Sequence, residues 1–208
     1  MLKVMKNLLL GLVILFTFSS ISKGGVTQLG PNYFVAGVHT KKFEFYAAPQ
    51  VHGKQRQSNW CWAATTQMVL NYHGLYVQQE QVVQRIFGRQ VDSPASPNQI
   101  LTALSGWAPD NRGGYSAIIA SSYVSVTDMI NDLAYEYPLI VGTSNSGGTG
   151  HAYVLTAVFY SFDGYGRPIV DKVVLRDPFP TSPSRQEWTG QTFSSRVNFI
   201  ARVHIKRL

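Results

Sequence analysis

The chain has 208 residues, a formal net charge of +7 and a single cysteine. One cysteine excludes an internal disulfide, and the length fits one domain. The basic surplus is spread out, with no dense run and no base-reading or stacking motif, so we expect no nucleic-acid binding. We interpret the surplus as favouring solubility and a mild attraction to anionic surfaces.

The N-terminal residues have the pattern of a secretory signal peptide. Lys3 and Lys6 form a positive n-region, Leu8–Phe18 is apolar, and small residues follow. The apolar run is shorter than the roughly 18 residues that a spanning helix needs, so we expect no stable membrane anchor. We predict a signal peptide over residues 1–22, one domain over residues 23–208, and a secreted or periplasmic bacterial protein.

Helices dominate the first half of the predicted fold. Their signals are capping residues, a proline at a first helical position, and glycines at the ends. Residues 105–124 have no regular pattern. The predicted elements are short strands at Tyr33–Val38 and Lys42–Ala47, and helices from Cys61 to Gly74, at Gln78–Phe87, at 96–104 and at Thr127–Tyr135.

Strands dominate the second half. Residues 144–150 are predicted to form a flexible loop, and residues 181–195 a polar loop around Trp188. The predicted strands are Pro138–Thr143, His151–Tyr160, Ile169–Leu175 and Val197–Ile205. Helices followed by an antiparallel sheet indicate an α+β fold.

The single cysteine, Cys61, lies where a polar turn becomes a helix. Ser58 and Asn59 are good helix caps, so Cys61 is expected in the first helical turn. There the unpaired backbone N–H groups and the helix dipole favour negative charge, which makes a thiol a better nucleophile. A lone cysteine is more often a small buried apolar residue, so a catalytic interpretation needs partners elsewhere in the chain.

His151 and Asp177 are the predicted partners. If the hairpin turns around Asp163 and Gly164, these two residues fall opposite each other at its open end. Facing residues have Cβ atoms about 4.5–5.5 Å apart, so the carboxylate can accept a hydrogen bond from one imidazole nitrogen. That bond fixes the tautomer and leaves the other nitrogen free. A thiol, a histidine and an acid form a nucleophile, its base and the group that orients the base.

Gln55 is the predicted fourth member of the site. It lies six positions before Cys61 on the loop that enters the helix. Its side-chain amide, together with the backbone N–H of Cys61, can hold the oxyanion of a tetrahedral intermediate. Gln57 is an alternative donor.

The motifs together resemble the papain-like cysteine peptidases, close to the compact bacterial secreted branch of staphopains and double-glycine leader peptidases. The matching pieces are Gln55-x-x-x-x-x-Cys61-Trp62-Ala63-Ala64, Gly150-His151-Ala152 and Arg176-Asp177-Pro178. The resemblance implies a helical half carrying the cysteine helix, packed on an antiparallel sheet. It also implies peptide-bond hydrolysis through a thioester, without metal or cofactor. Asp177 replaces the asparagine of papain, and Phe179 is expected where papain has a shielding tryptophan.

Several alternatives stay open at this stage. The same machinery serves an amidase, a transpeptidase or an acyltransferase acting on a host protein or cell-wall peptide. A degenerate scaffold would be an inactive binding module, although the intact site residues argue against it. His52 is a rival base, and Asn145, Asp163 and Asp171 are rival orienting groups. We expect a monomer that acts on a protein or peptide, and that an inhibitor or immunity protein can bind.

Overall fold

The computed structural model describes residues 25–48, 53–122, 124–144 and 150–208. The predicted signal peptide, residues 145–149 of the predicted flexible loop with Asn145, and His52 lie outside the described residues. The helices are α1 (Thr40–Ala47), α2 (Cys61–Tyr72), α3 (Gln79–Phe87), α4 (Pro97–Leu104), α5 (Val126–Ala134) and α6 (Gly190–Arg196). The strands are β1 (Gly25–Gly30), β2 (Tyr33–Gly37), β3 (Gly106–Pro109), β4 (Tyr115–Ser121), β5 (Leu139–Ser144), β6 (Gly150–Phe162), β7 (Pro168–Arg176), β8 (Arg185–Thr189) and β9 (Val197–Arg207).

The strands that the structure describes form one antiparallel sheet. Its order is β1-β2-β6-β5-β9-β4-β3, and β7 and β8 extend from β6 as a branch. Helix α2 packs on β6 and is buried on almost every side. The main core cluster therefore joins this helix to the central strands. The predicted α+β architecture, with the cysteine helix on an antiparallel sheet, is confirmed.

Local capping signals located most of the helices correctly. Helix α4 begins with the predicted capping box of Ser96 and Gln99 and has proline at its start. Helix α3 ends at Gly88, whose φ of +69° places it in the left-handed region. Glycine adopts that conformation without the steric cost that a Cβ brings. Gly74, with φ +82°, follows α2 in the same way.

Three predictions of local structure were wrong. Lys42–Ala47 lies in helix α1, where Phe43 and Ala47 share the buried face and Phe45 is exposed. Residues 105–124 contain β3 and β4, and residues 181–195 contain β8 and α6. Strand β4 is completed by pairing with β9, which is distant in sequence, and β8 is completed by pairing with the preceding strand, β7. A local pattern does not record such pairing.

The predicted register of the β6–β7 hairpin is also wrong, by two residues. The connection is a five-residue loop between the paired residues Phe162 and Pro168, and the ladder contains two irregularities. The last pair at the open end is Val154 with Arg176. Continuing this ladder places Asp177 opposite Tyr153 instead of His151. Because the slip is even, the side chain of His151 still lies on the same face as Asp177, as a diagonal neighbour.

Within the described residues, every helix is too short or too polar to span a lipid bilayer.

Candidate active site

Cys61 is the first residue of α2 and is partly exposed. The N-cap is Trp60, without a side-chain capping bond, so the prediction that Ser58 or Asn59 caps this helix was wrong. The predicted position in the first helical turn is confirmed. The thiol therefore lies beside the first backbone N–H groups of the helix, which have no carbonyl within the helix to bind.

A loop at residues 91–93 braces the start of α2. The indole nitrogens of the buried Trp60 and Trp62 donate to the carbonyls of Val91 and Ser93, at 2.7 and 3.1 Å. The Asn59 backbone N–H donates to Asp92 Oδ1 at 2.8 Å. The two tryptophans are the only sequence signal for this brace, because a buried indole N–H normally finds a hydrogen-bond acceptor.

His151 and Asp177 form a direct pair. His151 Nε2 lies 2.7 Å from Asp177 Oδ1, although the two residues are not paired in the ladder. Burial alone lowers the pKa of His151, but the hydrogen bonds and negative charges of Asp177 and Cys61 raise it to about 9. The imidazole therefore favours its charged form between the acid and the sulfur.

Asp177 is held by more than its histidine partner. Its Oδ1 also accepts from the Phe179 backbone N–H at 2.8 Å, and its Oδ2 accepts from Gln186 Nε2 at 2.6 Å. Burial raises the pKa of Asp177, but the hydrogen bond from His151 and the backbone donor outweigh it, so the pKa is lowered. Trp188 Nε1 in turn donates to Gln186 Oε1 at 3.2 Å. Gln186 was not predicted as a site residue, because it lies on β8, which was predicted to be a loop.

Aromatic rings enclose the histidine. The ring of Tyr153 lies 4.6 Å from that of His151 between centroids, and the predicted shielding residue, Phe179, lies at 6.1 Å. Trp188 packs edge-on against Tyr153 at 5.1 Å. Burial, followed by the charge of Asp177, raises the pKa of Tyr153 to about 12, so its hydroxyl stays protonated at neutral pH.

Lys54 joins the segment before α2 to the loop after β7. Its Nζ donates to the carbonyls of Asp177, Phe179 and Ser182, at 3.1, 2.8 and 2.8 Å. The Gln55 backbone N–H donates to the carbonyl of Pro178 at 2.8 Å. Burial lowers the pKa of Lys54, and the charge of Asp177 partly offsets it. These bonds fix the distance between the cysteine side and the histidine side of the site.

The side chain of Gln55 faces its own loop. Its Nε2 donates to the carbonyls of Gln57 and Ser58 at 3.0 and 2.8 Å, and its Oε1 is buried without a hydrogen-bond partner in the described part of the chain. Gln55 is not among the residues that line the cleft around Cys61. The structure thus brings Cys61, His151 and Asp177 together and places Gln55 beside them.

The cleft around Cys61 has a volume of about 430 Å³. It is lined by Ser58, Asn59, Cys61, Pro94, Gly150, His151, Tyr153, Asp177, Phe179 and Ser182.

The other described histidines have structural surroundings. His39 Nδ1 accepts from the Lys42 backbone N–H at the start of α1. Burial lowers the pKa of His73 to about 3, and His204 lies 2.9 Å from Asp132. Among the described residues, no group of three acidic, histidine or cysteine side chains is arranged to hold a metal.

A cysteine at a helix start, facing a histidine–aspartate pair on an antiparallel sheet, defines the class of papain-like cysteine peptidases. Residues 42–197 match the Peptidase_C70 family, described as papain-like cysteine protease AvrRpt2, and the chain belongs to this family. The resemblance inferred from the sequence is therefore confirmed, and the protein is a cysteine peptidase. No protein in the curated set matches the chain.

A solved structure of a peptidase domain shares the fold, and a second solved structure is similar. The peptidase domain of Streptococcus ComA, a bifunctional ABC transporter involved in a quorum-sensing pathway, is 14% identical with a TM-score of 0.50. The match covers 74% of this chain and 96% of that domain. A double-glycine motif protease from an AMS/PCAT transporter, solved with its leader peptide, is 18% identical with a TM-score of 0.46, over 74% of this chain and 89% of that one.

Proposed function

We propose that this protein is a secreted peptidase that hydrolyses peptide bonds through a thioester on Cys61. The observation that carries the proposal is the contact of 2.7 Å between His151 and Asp177 in the cleft that also contains the Cys61 thiol. A nucleophile, a base and the acid that orients the base then line one cleft, which is the set of groups that covalent catalysis uses.

His151 is the proposed base and acid. Its Nε2 is engaged by Asp177, so Nδ1 is the nitrogen left to exchange a proton with the thiol. Cys61 transfers its proton to His151 and the sulfur attacks the carbonyl carbon of the substrate. His151 then gives the proton to the departing amine. The acyl part of the substrate remains bound to Cys61 as a thioester. Water activated by His151 hydrolyses the thioester and frees the sulfur.

The proposed oxyanion donors are the Cys61 backbone N–H and the Gln55 amide. The first is supported by its place at the start of α2. Gln55 must exchange one of its two carbonyl contacts for the oxyanion when substrate is bound. Catalytic hydrogen bonds that tighten only in the substrate complex are common, so this exchange is compatible with a donor role.

The proposed substrate is a protein or peptide outside the cytoplasm. The signal-peptide pattern of residues 1–22 supports export, and the cleft is open to solvent along a wall of neutral polar and aromatic side chains. We propose that the enzyme acts as a monomer and is a target for an inhibitor or immunity protein.

Incubation of the purified protein with a peptide library in ¹⁸O-labelled water, followed by mass spectrometry, tests this function. Hydrolysis places one labelled oxygen in each new carboxyl group, whereas acyl transfer to an amine places none. We expect labelled products from the native chain and none from Cys61→Ala. Unlabelled, amine-linked products would instead establish an acyltransferase.

Alkylation of Cys61 by iodoacetamide provides a second test. His151 can take the proton of the thiol, so we expect iodoacetamide to modify Cys61 faster in the native chain than in His151→Ala at the same neutral pH. Equal rates in the two chains, together with no cleavage of any peptide, would leave an inactive binding module as the better description.

A further inference from the structure

Arg176 is a buried cation with few partners. It is only 3% exposed, and its Nε has no hydrogen-bond partner among the described residues. Its ion-pair partner is Glu44 of α1, at 3.6 Å, which is longer than a good hydrogen bond. A buried guanidinium with unpaired N–H groups is costly, so this side chain is suited to an additional acceptor.

Arg176 also lies directly opposite a second arginine. Arg185 of β8 is its ladder partner, and like charges facing each other across strands are destabilising. Burial lowers the pKa of Arg176, Glu44 raises it and the charge of Arg185 lowers it further. Glu187 contacts Arg185 on the same strand, but its charge is shared with Lys172, with which it also forms an ion pair.

A small pocket adjoins the two arginines. It has a volume of about 230 Å³, and its polar lining includes Arg176, Arg185, Thr40 and Thr156. No residue lines both this pocket and the cleft around Cys61. The consecutive residues Arg176 and Asp177 line the pocket and the cleft, respectively. The pocket is therefore a separate site that shares one end of a strand with the active-site cleft.

We propose that this pocket binds a small oxyanion, a phosphate or carboxylate group, between Arg176 and Arg185. The planar guanidinium fork matches the oxygens of either group in a bidentate arrangement. The bound anion supplies an acceptor for the unpaired Nε–H of Arg176 and separates two facing positive charges. This site does not depend on the reaction proposed for Cys61.

Titration of the purified protein with inorganic phosphate, at constant ionic strength maintained with sodium chloride, tests the site. NMR of the arginine side chains follows the ¹Hε–¹⁵Nε signal of Arg176, which Arg176→Lys removes and thereby assigns. We expect a saturable shift with phosphate. A parallel titration with acetate separates the two sources: a response to acetate alone identifies a carboxylate site, and a response to phosphate a phosphoryl site.

Two variants, one of the pocket residue Arg185 and one of Glu44, the ion-pair partner of Arg176, predict changes of opposite sign. Arg185→Gln removes one charged donor and should weaken binding about tenfold. Glu44→Gln removes the competing carboxylate and should strengthen binding roughly threefold. Arg167→Gln, which changes an exposed arginine paired with Asp163 in the hairpin loop, is the matched control and should change nothing. The side chains of Glu44 and Arg185 are both partly exposed, so these two variants are expected to fold.

The outcome is decisive in either direction. A saturable response that weakens in Arg185→Gln and strengthens in Glu44→Gln supports the site. A response no larger than that to chloride for both anions overturns it. Equal affinity in the native chain and in Arg185→Gln overturns it as well, because the two arginines would then not act together.

Discussion

The two sides of the candidate active site are built differently. Cys61 is positioned by main chain, because it is the first residue of a helix that is buried almost all round. His151 and Asp177 are positioned largely by other side chains. Gln186, together with the Phe179 backbone N–H, holds the carboxylate, and Tyr153 lies against the imidazole. The cysteine side should therefore tolerate substitution of its neighbours better than the histidine side.

Replacing the proposed base should have the largest effect. His151→Ala removes the group that exchanges protons with Cys61, so we expect kcat/KM to fall about 10³-fold or more in a peptide cleavage assay. His52→Ala is the control and should leave most of the activity intact. The reverse pattern would assign the base to His52.

Asp177 should come next, and the two replacements should differ. Asp177→Asn keeps an oxygen that accepts from the imidazole, so we expect partial activity. Asp177→Ala removes that acceptor, and we expect a larger fall in kcat with nearly unchanged KM, because the pair matters to the chemical step.

The double variant identifies how Asp177 acts. In a His151→Ala background, Asp177→Ala should add little, since residues that act as a unit are not additive. A full additional loss would mean that Asp177 acts elsewhere, for example as a cap for the turn before Phe179.

The pH dependence should follow the His151 pKa. Cleavage should decline above pH about 9, where the imidazole loses its proton. The same proton stabilises the fold: this contribution is complete below the ordinary value of 6.5 and is lost as the pH rises through about 9. Asp177→Asn removes a charge that raises this pKa, so the alkaline limb should move down; an unmoved limb in a pH–rate profile would contradict the pairing.

Lys54 should have a smaller effect that reaches both sides of the site. Lys54→Met leaves three loop carbonyls without their donor. We expect roughly a tenfold fall in kcat and a loss of about 1–3 kcal/mol in the free energy of unfolding measured with urea. Lys172→Met, which removes a surface ion pair with Glu187 and a cation–π contact with Phe159, is the control. Equal effects of the two would show that the bridge is unimportant.

The brace on the cysteine side should matter least. Asp92→Ala removes the acceptor for the Asn59 backbone N–H but leaves α2 intact. We expect no more than a roughly threefold change in kcat/KM, about half a typical hydrogen bond's effect. A loss as large as that from Asp177→Ala would break the comparison between the two sides.

The sequence predicts what local chemistry decides. The capping box of Ser96 and Gln99 and the glycine after Phe87 fix helix ends within a few residues, and both were predicted. The juxtaposition of His151 and Asp177 was also predicted, although for an incorrect register. It survived because a slip of two residues leaves a side chain on the same face of the strand.

What the sequence did not predict depends on packing and hydrogen-bond contacts that the local pattern leaves open. Phe43 and Phe45 alternate as in a strand, but the four-residue spacing of Phe43 and Ala47 fits a helix packed on the core. The contact of Gln186 with Asp177 requires β8 to pair with β7, and its residues show no clear strand signal alone. The orientation of the Gln55 amide is decided by the carbonyls of its own loop, which spacing does not reveal.

The bonds of Lys54 have a consequence for when the enzyme can first act. They connect residues separated by 123, 125 and 128 positions, so the cleft closes only after almost the whole chain has been made and folded. Contacts of such long range are slow to form, because a large loop must be closed first. Under the proposed assignment, a nascent chain, or one still unfolded in transit across a membrane, carries the thiol without its base. Folding itself then delays proteolysis until the protein has reached its destination.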